Sequence, residues 1–174
     1  GQRLGIIGLG GIGSLVAKVG AAFGMEVVCW SPNMTTERAK AANCEYVPLD
    51  TLLQTSKIVS LHLVVSQNTK GLINLERLQL MRSDSVLVNT ARSALIVTAD
   101  LIEALKMGRP GKAALDVFDM EPIPMDSPLR HTPNLLMSPH LGFIAEPILS
   151  SFANGMVNSL TAWLDGKPVP LPFK

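Results

Sequence analysis

Hydrophobic positions along this chain follow two alternating rhythms. Short, nearly unbroken apolar runs occupy the opening residues up to Gly8 and then 26–31, 44–47, 57–63, 85–89, 112–118 and 134–138. Between them the apolar positions take helical spacing, first at Ile12, Leu15, Val16, Val19, Ala22 and Phe23, then over residues 35–42, 49–55, 74–81, 99–107 and about 146–165. The punctuation agrees with this division. Gly24 closes the first helix, Pro32-Asn33 breaks the second strand, Asn74 is placed as a helix N-cap, and Gly108 with Pro110 ends the helix over 99–107. Strands without polar alternation are covered on both faces, and strands alternating with helices build a parallel sheet. The expected fold is α/β, a doubly wound parallel sheet, with no internal repeat.

The first turn adds chemistry to that pattern. Gly8, Gly10 and Gly13 stand at G-x-G-x-x-G spacing between a strand and a helix. That spacing suits a tight turn, then close approach of backbone to a pyrophosphate, then close packing of helix on strand. The helix that starts there points its N-terminal N–H groups at an anion. A Rossmann-like dinucleotide-binding domain is therefore expected, the alternative being an ordinary strand-to-helix turn.

Composition narrows the classes. The 174 residues suffice for one domain with a real core; 47% are hydrophobic and 17% charged, which is a globular composition. A formal net charge of +1 with no basic block gives no footprint for nucleic acid or an acidic membrane. No apolar run reaches membrane-span length and no signal-peptide pattern opens the chain. The two cysteines, Cys29 and Cys44, sit in apolar surroundings without metal-ligand spacing, and no metal site is expected. They read as reduced structural thiols, with the cytoplasm as the default compartment. The chain opens without methionine just ahead of its first strand, so a piece of something longer is expected.

Dinucleotide folds usually declare their cofactor at the end of the second strand, where a carboxylate grips the ribose 2′-hydroxyl or an arginine favours a 2′-phosphate. Here the residues are Ser31-Pro32-Asn33, with Arg38 further on. Either NAD or NADP is compatible, and the absent carboxylate gives a slight lean to NADP.

In open parallel sheets ligands bind beyond the carboxyl ends of the strands. Arg92 follows the run 85–89, Glu121 follows 112–118, and His140 follows 134–138. Three successive strands thus deliver a guanidinium, a carboxylate and an imidazole to one edge. A 2-hydroxy acid is oxidised by just such a set: a base for the hydroxyl proton, a partner that orients that base, and a cation for the carboxylate. Each residue also has a plainer reading, as a surface arginine, a solvated turn acid and a loop histidine. His62, followed by Leu63-Val64-Val65, reads as a satisfied core histidine, and His131 as a solvated one.

The segments Gly8 to Gly13, Asn89-Thr90-Ala91-Arg92, Leu115-Asp116-Val117-Phe118-Asp119-Met120-Glu121-Pro122 and Ser138-Pro139-His140-Leu141-Gly142 resemble the D-isomer-specific 2-hydroxyacid dehydrogenases over essentially the whole chain. The resemblance implies that Arg92 binds the substrate carboxylate, His140 is the acid/base and Glu121 its partner. It further implies that Gly11, Ile12, Ser31, Leu63, Thr90, Ala91, Asp116 and Gly142 line the cofactor site, with Asp116 at the nicotinamide end. Formate-oxidising members carry Gln in place of Glu121, which argues against formate. Three departures stand out: Ser93 where the family usually has Gly, Val97 where Asp is frequent, and Ser31 in place of the ribose acid.

Family members of this kind carry a substrate domain ahead of the strand that begins here, and they form dimers. The expectation is one dinucleotide-binding and catalytic domain over 1–174, with 146–174 a helix and tail set to pack on that substrate domain. Leu149, Phe152, Met156, Leu160, Trp163 and Leu164 give this helix a heavy apolar face, for an interface or for packing on the sheet. The expected activity is hydride transfer between NAD(P)H and a small 2-keto acid. The alternative, from another class, is a dinucleotide-sensing interaction module like the corepressors that resemble this family.

Overall fold

The computed structural model describes residues 1–169. The apolar runs become seven strands: β1 (Arg3–Ile7), β2 (Glu26–Trp30), β3 (Glu45–Tyr46), β4 (Ile58–Leu61), β5 (Val86–Asn89), β6 (Lys112–Leu115) and β7 (Leu135–Met137). They pair in parallel throughout, in the order β3-β2-β1-β4-β5-β6-β7. The chain winds outward from β1 to β3, returns to place β4 beside β1, and winds outward again. The reversal opens a crevice at the carboxyl ends of β1 and β4, where open α/β sheets take ligands. The expected doubly wound α/β sheet is the fold observed.

Register aligns that edge. Trp30, Ile7, Leu61, Asn89, Leu115 and Met137 are successive partners across six strands. The residues just after them, from Gly8 and Ser31 through Thr90 and Asp116 to Ser138, therefore leave the sheet at one level.

The helices are α1 (Gly11–Ala22), α2 (Thr36–Ala41), α3 (Leu49–Thr55), α4 (Leu75–Leu80), α5 (Thr98–Lys106) and α6 (Glu146–Leu164). Local chemistry sets their ends. Thr35 and Asn74 cap α2 and α4 by accepting from the N–H groups of Arg38 and Arg77. Gly108, at φ 78°, follows α5 in the left-handed conformation that glycine adopts without strain.

The two faces of the sheet pack differently. One carries Ile7, Leu61 and Leu87 against Leu52, Leu53, Leu78, Leu101 and Leu105 of α3, α4 and α5. The other holds Leu4, Ile6, Val27 and Cys29 against Ala17 of α1 and Ala39 of α2. Here α1 packs by its small residues and not by its apolar stripe. Its buried residues are Gly13, Ala17 and Gly20, while Ile12, Leu15, Val19 and Phe23 are all more than half exposed. A Cβ on Gly20 would stand 2.4 Å from Leu4 Cδ2, so the helix lies too close to the strand for a larger residue to face it. The conspicuous apolar stripe is consequently on its outward side.

Cys29 and Cys44 are buried free thiols. Burial, with the Cys44 neighbour adding to it, pushes the Cys29 thiol up to about 12, so it stays protonated and unreactive. Two 3-10 turns, Ser93–Leu95 and Pro128–His131, interrupt loops with no regular element in the sequence reading. β6 ends at Leu115, three residues short of the apolar run, because the chain leaves the sheet after the Asp116 N–H bonds the Asn89 carbonyl.

The chain divides into two compact units, Gly1–His140 and Leu141–Lys174. In the second, α6 has no buried residue, and Phe152, Met156, Leu160 and Trp163 are exposed. The end of the expected tail, 170–174, lies outside the described residues. Among the described residues no helix is long and apolar enough to cross a membrane.

Candidate active site

The glycine turn is shaped by what its residues lack. Gly8 has φ 104°, and a Cβ there would meet His62 C at 2.6 Å and Leu63 N at 2.8 Å. A Cβ on Gly13 would lie 2.0 Å from the Gly8 carbonyl oxygen. Those two glycines are demanded by the protein itself. Gly10 and Gly11 are different: a Cβ on either meets nothing within 4 Å. Gly10 is the N-cap of α1, with no side-chain cap and no acidic residue in the first turn. The N–H groups of Gly11, Ile12 and Gly13 lack intrahelical acceptors by position, so the turn presents uncapped donors beneath an open approach. This fits the pyrophosphate of a dinucleotide.

Along the same edge, Ser31 follows β2, Leu63 lies two residues past β4, Thr90 and Ala91 follow β5, and Asp116 follows β6. Asp116 is buried and accepts a hydrogen bond from the Ser138 hydroxyl, which ties the ends of β6 and β7 together. Beyond β2, the Arg38 guanidinium donates to the Asn33 carbonyl at 2.8 Å, which draws its charge to the loop after Ser31. Gly142 belongs to the second unit.

Asn89, fully buried, organises the loop after β5. Its amide donates to the Arg92 carbonyl at 2.9 Å and its oxygen accepts from the Ala91 N–H at 3.0 Å. Arg92 is thereby held in extended backbone with its side chain exposed. Its guanidinium donates to the Ala91 carbonyl at 2.6 Å and has no carboxylate partner among the described residues. Ser93 has no positive φ, so a serine fits this place without strain. Val97 caps α5 with no side-chain hydrogen bond, a position where an aspartate would supply one.

Glu121 and His140 are in direct contact. His140 Nδ1 lies 2.7 Å from Glu121 Oε2, and the other oxygen, Oε1, accepts from the Phe118 N–H at 2.8 Å. The bond to His140, then that to the Phe118 backbone, holds the Glu121 carboxyl below the usual glutamate range. It is ionised at neutral pH, so Nδ1 carries the proton it donates, and proton exchange belongs to Nε2. His140 itself sits at φ 56°, the left-handed region, which costs a non-glycine residue about 1–2 kcal/mol. A cavity of about 470 Å³ opens beside the pair, lined among others by Ile123, Arg130, Met137 and Ser138.

The structure thus joins two of the three expected residues and sets Arg92 on the neighbouring strand end, bonded within its own loop. His62 is half-buried, not in the core; it pairs with Ser60 Oγ at 2.9 Å, and partial burial lowers its pKa, which favours the neutral ring. His131 is exposed. Among the described residues no group of three or more His, Cys, Asp or Glu is arranged to hold a metal. Sequence reading missed Asn89 as organiser of the loop and Ser138 as partner of Asp116. Only the register between strands could have paired Asp116 with Ser138, whereas the bonds of Asn89 reach no further than Ala91 and Arg92.

Comparison with known proteins bears on this arrangement. Residues 1–142 match the family described as D-isomer specific 2-hydroxyacid dehydrogenase, NAD binding domain. A glyoxylate reductase of Aeropyrum pernix is 38% identical over 170 residues, covering 98% of this chain and 51% of the relative. Among solved structures, a D-isomer specific 2-hydroxyacid dehydrogenase from Xanthobacter autotrophicus superposes with TM-score 0.84 at 34% identity, over 97% of this chain and 55% of that one. A D-lactate dehydrogenase from Aquifex aeolicus, complexed with NAD and lactic acid, gives TM-score 0.83 at 32% identity, over 95% and 54%. The chain spans about half the length of the curated relatives it matches. With the glycine turn, the ordered strand ends and this match over most of its length, the chain belongs to the D-isomer-specific 2-hydroxyacid dehydrogenases, as their NAD-binding domain.

Proposed function

We propose that this chain is the cofactor and catalytic half of an enzyme that transfers hydride between a nicotinamide dinucleotide and a small 2-keto or D-2-hydroxy acid. The observation that carries the reading is the 2.7 Å contact between His140 and Glu121 at the edge that also bears the open glycine turn.

The uncapped N–H groups after Gly10 hold the pyrophosphate, in the crevice beyond the ends of β1 and β4. Ser31, Leu63, Thr90, Ala91 and Asp116 complete the cofactor site, with Asp116 held by Ser138 at the nicotinamide end. When bound, the dinucleotide supplies or accepts the hydride at substrate C2. Arg92 grips the substrate carboxylate through two parallel hydrogen bonds. Glu121 keeps the proton on His140 Nδ1 and turns Nε2 toward the substrate. In reduction Nε2 gives its proton to the C2 oxygen; in oxidation it takes that proton back. Glu121 stabilises the imidazolium that oxidation leaves.

NAD is the cofactor named for the family. We retain a lean to NADP for this chain, supported by the loop 31–35, which has no carboxylate, and by Arg38 drawn onto it. The proposal includes a substrate domain preceding Gly1, a homodimer and a cytoplasmic location. Nothing in the comparisons favours the sensing module.

The test uses the complete polypeptide and a panel of small 2-keto acids. His140→Ala and Glu121→Gln are expected to cripple turnover and leave dinucleotide affinity nearly intact. Undiminished turnover in His140→Ala would overturn the assignment.

A further inference from the structure

We propose that Arg130 is a positioning residue that holds the Glu121–His140 pair in working geometry. This rests on the reading of that pair as the acid/base. Residues 119–127 contain no strand or helix, so nothing regular fixes the loop that carries Glu121. Glu121 is itself exposed. A carboxylate on such a loop would wander unless the loop were tied.

Arg130 supplies the tie. Its Nε donates to the Pro124 carbonyl and its Nη2 to the Ile123 carbonyl, both at 2.8 Å. These carbonyls lie two and three residues past Glu121. A guanidinium presents two donors in a rigid plane, which spans successive carbonyls as an ammonium cannot. The anchor behind Arg130 is firm. It lies on the 3-10 turn Pro128–His131, whose Leu129 is buried in the main core. On the other side of the loop, the Thr98 hydroxyl donates to Asp119 at 2.6 Å. A continuous path of contacts therefore runs from the core through Leu129 and Arg130 to Ile123 and Pro124, and on to Glu121 and His140. Arg130 also lines the cavity beside His140. Its recorded bonds, however, go to backbone and not into that space.

The test compares Arg130→Met and Arg130→Lys with the unaltered protein by two readouts. The first is the titration of the Glu121 side-chain carboxyl, followed by carbon-13 NMR in the full chain. The second is the pH profile of kcat/KM in the complete polypeptide. In Arg130→Met the Glu121 titration is expected to move up toward the ordinary glutamate value. The profile should change with it, and kcat/KM should fall about tenfold, since small misplacements of a catalytic group are costly. Arg130→Lys, with one point of attachment, is expected to fall between. Should Arg130→Met fail to fold, Arg130→Lys decides by the same shift. A Glu121 titration identical to that of the unaltered protein in a folded variant overturns the proposal. So does an effect confined to KM for the keto acid, which would make Arg130 a substrate contact. A shifted titration in a protein with no keto-acid turnover would leave the positioning role standing and remove the functional reading beneath it.

Discussion

The two ends of the same sheet edge are built by opposite means. Around β1 the site is made by leaving side chains out: Gly8 and Gly13 fit only without a Cβ, and Gly10 faces open space. Around β6 and β7 it is made by side chains holding one another, Ser138 on Asp116 and Glu121 on His140. The first end offers backbone N–H groups whose positions are fixed once the turn forms. The second depends on hydrogen bonds that can be removed one at a time. Binding and chemistry should therefore be separable by mutation.

The largest effect expected is at the second end. His140→Ala should lower kcat/KM by about 10²–10⁴-fold, the usual contribution of a positioned acid/base, with dinucleotide affinity unchanged in a fluorescence titration. Between the ends, Asn89→Ala removes two hydrogen bonds from a fully buried amide. It should cost about 1–3 kcal/mol in chemical denaturation and raise KM for the keto acid, because Arg92 loses its support. At the first end, Gly10→Ala and Gly13→Ala should differ. Both are expected to weaken dinucleotide binding by roughly tenfold or more, but only Gly13→Ala should also destabilise the chain, because only its methyl meets protein. Equal stability losses would break the distinction between a glycine required by the fold and one required by a ligand.

The smallest effect is the pH dependence of stability. Glu121 has its carboxyl lowered in the folded chain. The contribution of its contacts is present above the ordinary glutamate range and is lost as pH falls through the lowered folded value. Glu121→Gln should flatten that acid limb of the stability curve, while Gly10→Ala leaves it unchanged.

The first end was legible because its instruction is contiguous: glycine spacing, a strand before and a helix after. Even so, helical periodicity found the stripe Ile12, Leu15, Val19 and Phe23 without telling which side it faced. That depended on how near α1 comes to β1, a distance set by Gly13 and Gly20. The second end lies scattered over about 50 residues, and the rule that ligands sit at strand ends was enough to single out Arg92, Glu121 and His140 as candidates. Their contacts were not legible. Asp116 with Ser138 follows from the register of β6 on β7, and Arg130 acts through backbone carbonyls, which carry no signature in a sequence. The left-handed backbone of His140 was equally hidden, since nothing in Ser138-Pro139-His140 demands it.

The measurement closest to the central claim is a nicotinamide-fluorescence titration of this chain with NADH, run beside His140→Ala and Gly13→Ala. Saturable binding that is equal in the unaltered chain and His140→Ala, and weakened roughly tenfold or more in Gly13→Ala, is the result expected of a backbone-built cofactor site separate from the acid/base pair. Binding that survives Gly13→Ala and disappears in His140→Ala would contradict it.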